Sequence, residues 1–205
     1  MPKVNKEYVS ARRAEILEAA RRCFVRNGFQ ATSMQDLFAE SGLSAGVIYR
    51  YFDSKEAVIL AIAEQAIQDV VTAMQAVVSP QHAGRIGSSL AAAIEVIDLQ
   101  DSERGITALA VQVWAEALRN PELSRRFLPR LAEARAQMQA LLERHDGSGL
   151  TAAGSPDATA VATAIFAVLP GYIMQRALLG PEAVDGAADA CRMLWPQAGP
   201  PHQGG

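Results

Sequence analysis

The sequence has little that could build a covalent, metal-bound or catalytic site. Its 205 residues include two cysteines and three histidines, too few for a disulfide framework, and they lack the spacing of zinc-ligand motifs. The GxSxG, P-loop, HExxH and dinucleotide-binding motifs are missing, and the carboxylates lie on helix faces of mixed charge. We therefore expect no enzymatic activity, no catalytic residues, no metal and no cofactor.

Secretory, membrane and strand signals are also missing. No apolar run at the N-terminus could serve as a secretory signal, which predicts a cytoplasmic protein. The uncharged stretch 158–175 contains threonines, Pro170 and Gly171 and lacks a basic flank on one side, so it predicts a core or subunit-interface helix and no membrane span. No segment alternates between apolar and polar residues as a strand does.

What remains is the pattern of an all-α protein. The composition, 50% hydrophobic and 6% aromatic, fits an Ala-rich helical chain. Turn signals and a C-terminal Pro/Gly-rich tail divide the chain into about nine helices. Beyond the first four helices, the predicted breaks lie at residues 82–87, 100–101, 120–121, 147–156 and 180–181.

Charge is distributed unevenly along the chain. Residues 1–55 carry nine basic and six acidic side chains, a net charge of +3, although the whole chain has a net charge of −3. A basic N-terminal segment followed by an acidic remainder is typical of a DNA-binding protein with two parts. Ordinary scatter of surface charge is the alternative explanation.

The first helix has a clear apolar stripe. Ile16, Ala20, Cys23 and Phe24 recur at helical spacing, and Gly28 stands where a C-terminal cap belongs. Because Cys23 is on this stripe, we expect a buried, inert thiol.

Two short helices joined by a tight turn should follow. Thr32 with Gln35 fits a capping box for the second helix, and Ser33 with Asp36 is the weaker alternative. The second helix must end before Gly42, which supplies the left-handed residue that reverses the chain.

The third and fourth helices have their own caps. Ser44 is the expected N-cap of a third helix that ends near Tyr51, and either Asp53 or Ser54 caps a fourth helix that continues to Pro80. The second and third helices together form the pattern of a helix-turn-helix.

A longer string adds a resemblance to a known family. Residues 13–62 read RAEILEAARRCFVRNGFQATSMQDLFAESGLSAGVIYRYFDSKEAVILAI, which includes the GLSAGVIYRYF block and then SKE. This string resembles the N-terminal DNA-binding domain of the TetR family of bacterial transcriptional regulators. One departure is Phe38, where helix-turn-helix motifs usually keep a small residue, and it predicts a slightly wider or rotated pair of helices.

The resemblance implies which residues meet DNA. The third helix would enter the major groove with its N-terminal residues on base edges, followed by side chains that hold phosphates. The implied contact residues are Thr32, Ser33, Gln35, Ser44, Ala45, Gly46, Val47, Tyr49, Arg50, Tyr51 and Lys55. Two alternatives remain open: Tyr51 packs partly in the core, and Arg50 is a solvated surface residue.

The resemblance also implies the organisation of the chain. It predicts a DNA-binding domain at 1–55, an effector-binding and dimerisation domain at 56–196 and a disordered tail at 197–205. The helices predicted at about 155–179 and 181–195 are more apolar than one packing face needs, which favours a homodimer. Candidate ligand-binding residues are the large or adaptable side chains Trp114, Met138, Phe166, Tyr172 and Met174. Pro170 should kink its helix, either as a bend in the core or as a pocket wall.

The predicted function is therefore a repressor that binds double-stranded, near-palindromic operator DNA as a homodimer. A small, mostly apolar ligand would release it, because an effector that prefers the non-binding conformation must weaken DNA binding. The alternatives are a ligand-independent or corepressor-dependent regulator and a helical adaptor that does not bind DNA.

Overall fold

A computed structural model describes residues 6–77, 86–144 and 158–194. Within these ranges the chain forms nine α-helices and one short 3-10 helix, Pro181–Val184, and no strand, as the all-α prediction requires. The helices are α1 Lys6–Asn27, α2 Met34–Ser41, α3 Ala45–Tyr49, α4 Lys55–Val77, α5 Ile86–Arg104, α6 Ile106–Ala117, α7 Pro121–Arg144, α8 Ala158–Leu179 and α9 Ala187–Leu194. The predicted break at 147–156 and the tail at 197–205 lie outside the described residues.

The caps of the first helices explain where they begin and end. Gly28 and Gly42 have φ values of 78° and 66° and end α1 and α2 as expected. The prediction that Thr32 caps α2 is wrong, because Ser33 is the N-cap and forms a reciprocal capping box with Asp36. Ser54 rather than Asp53 caps α4, since its hydroxyl accepts a hydrogen bond from the Ala57 N–H at 3.1 Å.

The predicted break at 100–101 is wrong. Helix α5 continues through Gln100 and Asp101 to Arg104, and the chain turns at Gly105, which has a φ of 62°. The polar pair reads like a turn in the sequence, but Gln100 donates to Asp69 at 2.7 Å and Asp101 accepts from the Thr107 N–H at 3.0 Å. Because these contacts supply hydrogen-bond partners for both polar side chains, the two residues can remain in a helix.

The last helix is shorter than predicted. The segment from Pro181 forms a 3-10 helix to Val184, and α9 begins only at Ala187. Gly186, with a φ of 73°, lies between them and breaks the α-helical path. Prediction of one continuous helix over 181–195 was therefore wrong.

Two clusters of buried side chains hold the described residues together. The first begins with Ile16, Phe24 and Ile48 of the N-terminal helices and continues through α4 into α6 and α7. The second joins α5 to α8 and α9 around Leu90 and Leu169. The N-terminal helices therefore share their core with the helices that follow. None of the helices in the described ranges is long and apolar enough to cross a membrane.

The half-buried carboxylate of Asp101 ties α5, α6 and α8 together. It accepts from the Thr107 hydroxyl at 2.6 Å and from Arg176 Nε at 2.8 Å, and only 10% of the Arg176 side chain is exposed. Burial opposes ionisation of this carboxyl, but Thr107 and Arg176 outweigh it and hold the pKa of Asp101 below its usual range.

We predict that Asp101→Ala lowers the free energy of unfolding at pH 7 by about 3 kcal/mol, because it leaves Arg176 and Thr107 without a shared acceptor. Since the folded-state pKa is depressed, this stabilisation is fully present above the ordinary carboxyl pKa of about 4 and is lost as pH falls from there through the lower folded-state pKa. Urea unfolding at pH 7 and pH 3 measures it, with the exposed Glu103→Ala as the control. Equal loss at both pH values would contradict the assignment.

Candidate DNA interface and effector cavity

Helix α3 is anchored near its C-terminal end and exposed at its N-terminus. Ile48 is fully buried in the first core cluster, whereas Ser44, Ala45 and Gly46 are exposed and Val47 is half-buried. A side chain built at Gly46 would meet no atom within 4 Å. The backbone at this end of α3 is therefore free to approach a partner surface closely.

Tyr49 explains how the helix pair accommodates Phe38. The two rings lie edge to face with centroids 5.5 Å apart, so Tyr49 covers the half-buried Phe38 while keeping 52% of its own surface exposed. Arg50 is exposed next to it, and Tyr51 is half-buried and packs against the first core cluster. Tyr51 thus takes the packing role that the sequence left open.

Lys55 stabilises the turn between α1 and α2. Its ammonium group donates to the carbonyl oxygens of Phe29 at 2.9 Å and Gln30 at 3.4 Å, and it lies 4.5 Å from the centre of the Phe29 ring. This role within the protein was not visible in the sequence, because the partners are 25 residues or more away.

The predicted contacts at the start of α2 divide into buried and exposed side chains. Thr32 is only 1% exposed, and its hydroxyl donates to the Gly28 carbonyl at 2.7 Å, so this side chain is used inside the protein. Ser33 and Gln35 are exposed. The Ser33 N–H and hydroxyl both donate to Asp36 and hold the pKa of that carboxyl below its usual range.

Arginines of α1 fix the other end of α2. Arg22 and Arg26 donate to the two oxygens of Glu40 at 2.7 and 2.9 Å, which lowers the pKa of Glu40. These arginines add positive charge beside the helix-turn-helix, but Glu40 neutralises part of it.

A cavity of about 140 Å³ lies between α4, α5, α6, α7 and α8. Trp114, Met138 and Phe166, three of the predicted ligand-binding residues, line it, and Pro170 forms part of its wall. The polar lining residues are Gln100 and Thr107, which already bond Asp69 and Asp101. The cavity therefore offers an apolar surface with no unpaired charge.

The two other predicted ligand-binding residues lie elsewhere. Tyr172 is in the second core cluster, where burial and a hydrogen bond to the Asp98 carboxylate raise the pKa of its hydroxyl. Met174 is on the outer face of α8 with 46% of its surface exposed. Neither lines the apolar cavity. In the described part of the chain, no group of three or more His, Cys, Asp or Glu side chains could hold a metal ion.

Helix α6 connects this cavity with the helix-turn-helix. One side of α6 lines the cavity with Val113 and Trp114. Gln112 Oε1 accepts a hydrogen bond from the Phe29 N–H at 2.7 Å, and the side-chain amide of Gln30 donates to Glu116. Gln112 and Glu116 were not among the residues predicted from the sequence, since nothing local to α6 indicates a partner more than 80 residues earlier.

Two protein-family descriptions match the chain. Residues 16–62 match "Bacterial regulatory proteins, tetR family", and residues 87–194 match "BetI-type transcriptional repressor, C-terminal". The second match covers more than half of the chain.

Relatives and solved structures agree with these matches. The chain is 32% identical to the HTH-type transcriptional repressor Rv1474c of Mycobacterium tuberculosis, over 70% of this chain and 71% of the relative. It is 47% identical to the regulator YfiR of Bacillus subtilis, over only a third of either protein. The structure of Salmonella enterica GusR, 26% identical, superposes with a TM-score of 0.73 over 90% of this chain and 93% of that one. FadR of B. subtilis, 16% identical, shares the fold with a TM-score of 0.72 over 91% of this chain and 99% of that one.

Proposed function

The chain belongs to the TetR family of DNA-binding transcriptional regulators, and from this premise we propose that it represses transcription as a homodimer on a near-palindromic operator and is released by a small apolar effector. The observation that carries the DNA-binding part is the exposure of Ser44, Ala45 and Gly46 on a helix anchored by Ile48. An exposed, uncharged N-terminus lets the backbone enter the major groove.

Base and phosphate contacts are assigned to different residues. Ser44, Ala45 and Val47 meet base edges, and Val47 suits a thymine methyl group. Tyr49 and Arg50 hold phosphates, since both are exposed at the C-terminal end of α3. Ser33 and Gln35 contribute from α2, whereas Thr32 and Lys55 support the interface from within by holding the α1–α2 turn.

Dimerisation accounts for apolar side chains that α8 and α9 leave exposed. Those with large exposed surfaces are Val168, Met174, Leu178, Leu179, Met193 and Leu194. Pairing these helices with a second copy would bury this surface. A two-fold dimer places two α3 helices on successive major-groove faces about 34 Å apart, which is why we expect a near-palindrome.

The proposed domain boundary assigns the N-terminal 55 residues to DNA binding and residues 56–196 to effector binding and dimerisation. The shared core described above supports coupling between the two parts, because a shift in α6 or α4 changes the packing of α1.

The effector we propose is neutral, mostly apolar and roughly the size of one aromatic ring or short branched chain. A dry cavity of similar size, about 150 Å³, binds benzene in another protein. Trp114, Met138 and Phe166 would contact the effector. B. subtilis FadR, which shares the fold, was solved in complex with stearoyl-CoA, a ligand whose acyl chain is apolar and whose head group is charged.

Release would follow from the position of α6. An effector that pushes on Val113 and Trp114 displaces a helix that also holds Phe29 and Gln30 through Gln112 and Glu116. These two turn residues precede α2, so their displacement moves the helix-turn-helix. The effector can shift the equilibrium only as far as its affinities for the two conformations differ.

Selection from random duplex DNA at two salt concentrations tests the proposal. We expect an enriched palindrome whose affinity falls steeply with salt. Enrichment only after adding cell extract would identify a corepressor-dependent regulator and reject release by an effector. No enrichment under either condition would reject operator binding.

Tyr49 provides a specific test of the phosphate contacts. We predict that Tyr49→Phe weakens operator binding by about tenfold or more, because the hydroxyl loses a hydrogen bond to a charged group. The ring stays on Phe38, so the melting temperature should not change. Fluorescence anisotropy with labelled operator measures the loss, and the exposed Tyr8→Phe is the matched control. Equal affinities of the two variants would remove Tyr49 from the interface.

A further inference from the structure

Three arginines from different helices converge on one surface groove. Arg13 of α1, Arg50 at the end of α3 and Arg126 of α7 line an open groove of about 480 Å³, here called the arginine groove. Arg130 of α7 also lines it, but pairs with Glu64. Tyr49 and Tyr51 also line it, so the groove is continuous with the candidate DNA interface. Unlike the residues of that interface, Arg126 belongs to the second half of the chain.

These three arginines differ from the other basic side chains that the structure describes. Each other lysine or arginine whose side chain the structure describes forms an ion pair or a hydrogen bond; Arg125, for example, pairs with Glu122, and Arg135 donates to Thr163. Among the described residues Arg50 and Arg126 have no carboxylate partner, and Arg13 lies 5.2 Å above the ring of Phe52. Among the described side chains, the arginines that form neither an ion pair nor a hydrogen bond therefore lie at one site.

The carboxylates of the groove do not neutralise it. Glu64 is taken by Arg130, whose Nε donates to it at 2.7 Å. Asp53 is then the carboxylate left among the lining residues, against the three arginines Arg13, Arg50 and Arg126, so the groove has an excess of positive charge. Such a groove favours a polyanion, because each additional phosphate neutralises another fixed cation and releases a counterion.

We propose that the arginine groove binds the phosphate backbone of operator DNA outside the half-site that α3 reads. The groove opens at the C-terminal end of α3, at Tyr49 and Arg50, whereas the base-reading residues are at the other end. A duplex carries a phosphate about every 3.4 Å along each strand, so backbone leaving the half-site presents a continuous row of charges to the groove. Arg126 would make α7 part of the DNA-binding surface.

This inference rests on the proposed function. It predicts a contact that forms only when the duplex extends beyond the two half-sites. The probes are the selected operator trimmed to its two half-sites and the same operator extended by ten base pairs on each side. We expect Arg126→Gln to weaken binding to the extended duplex by roughly three- to tenfold and to reduce the salt slope by about 2 for the dimer. On the trimmed duplex, Arg126→Gln should bind like the wild type.

Arg125→Gln is the matched control, because Arg125 is exposed on the same turn of α7, pairs with Glu122 and does not line the groove. Equal affinities of the two variants on the extended duplex would overturn the proposal. Equal loss on both duplexes for Arg126→Gln would also overturn it, since the contact would then lie within the half-site. If selection enriches no sequence, the proposed operator reading fails, and the same two variants are compared on random 40-base-pair duplex, where phosphate contacts still apply.

Discussion

A chain with Gly46→Glu will lose operator binding almost completely, by about a hundredfold or more, and will keep its melting temperature. The new carboxylate has open space around it, so the fold does not have to adjust. On the operator it would face phosphates and base edges at the point of closest approach, where like charges cost several kcal/mol. Anisotropy titration with labelled operator and thermal unfolding measure the two outcomes.

Two further variants separate the effect of the position of the new side chain from the effect of its charge. Ala136→Glu adds the same charge on an exposed site of α7 and should bind nearly as tightly as the wild type. Gly46→Gln keeps the size of the new side chain without its charge and should lose less affinity than Gly46→Glu. Normal operator binding by Gly46→Glu would exclude the N-terminus of α3 from the interface.

Ala110→Phe will produce a repressor that binds its operator but cannot be released. Ala110 lines the cavity, so a phenyl ring in place of its methyl group fills the space that an effector needs. We expect toluene at ten times its dissociation constant to stabilise the wild type by about 1.4 kcal/mol, raising its melting temperature by roughly 3–5 °C. The variant should show no shift.

The control for this substitution is Ala115→Phe, which adds the same ring on the exposed side of α6. It should keep the toluene shift and be released by every compound that releases the wild type. Overpacking can lower the stability of Ala110→Phe by about 1–3 kcal/mol, and operator titration shows directly whether the variant still binds. A toluene shift in Ala110→Phe equal to that of Ala115→Phe would place the ligand site elsewhere.

Sequence alone was sufficient for the helix-turn-helix because its determinants are local. Gly28 and Gly42 end their helices because each adopts a positive φ, and Ser44 is the N-cap of α3 as predicted. Buried residues such as Ile48 follow from spacing within one short segment. Thr32 and Ser33 were two local candidates for the N-cap of α2, and the preference for Thr32 was wrong. Only the packed α1–α2 turn shows that the Thr32 hydroxyl donates to the Gly28 carbonyl.

Contacts between distant segments were decided by the tertiary structure. The sequence at 100–101 predicts a turn. In the structure both residues are helical, because Gln100 bonds to Asp69 and Asp101 to Thr107. Of five side chains chosen for their size, three line the cavity, because side-chain type does not say which face of a helix will be enclosed.

The family, the all-α fold class and the exposed end of α3 could therefore be predicted from the sequence, because all three depend on signals a few residues apart. The hydrogen bond between Gln112 and Phe29, 83 residues apart, and the groove shared by Arg13, Arg50 and Arg126 are seen in the folded chain and could not be predicted. Side-chain partners across helices are set by the packing of the whole core, and no local pattern encodes that packing.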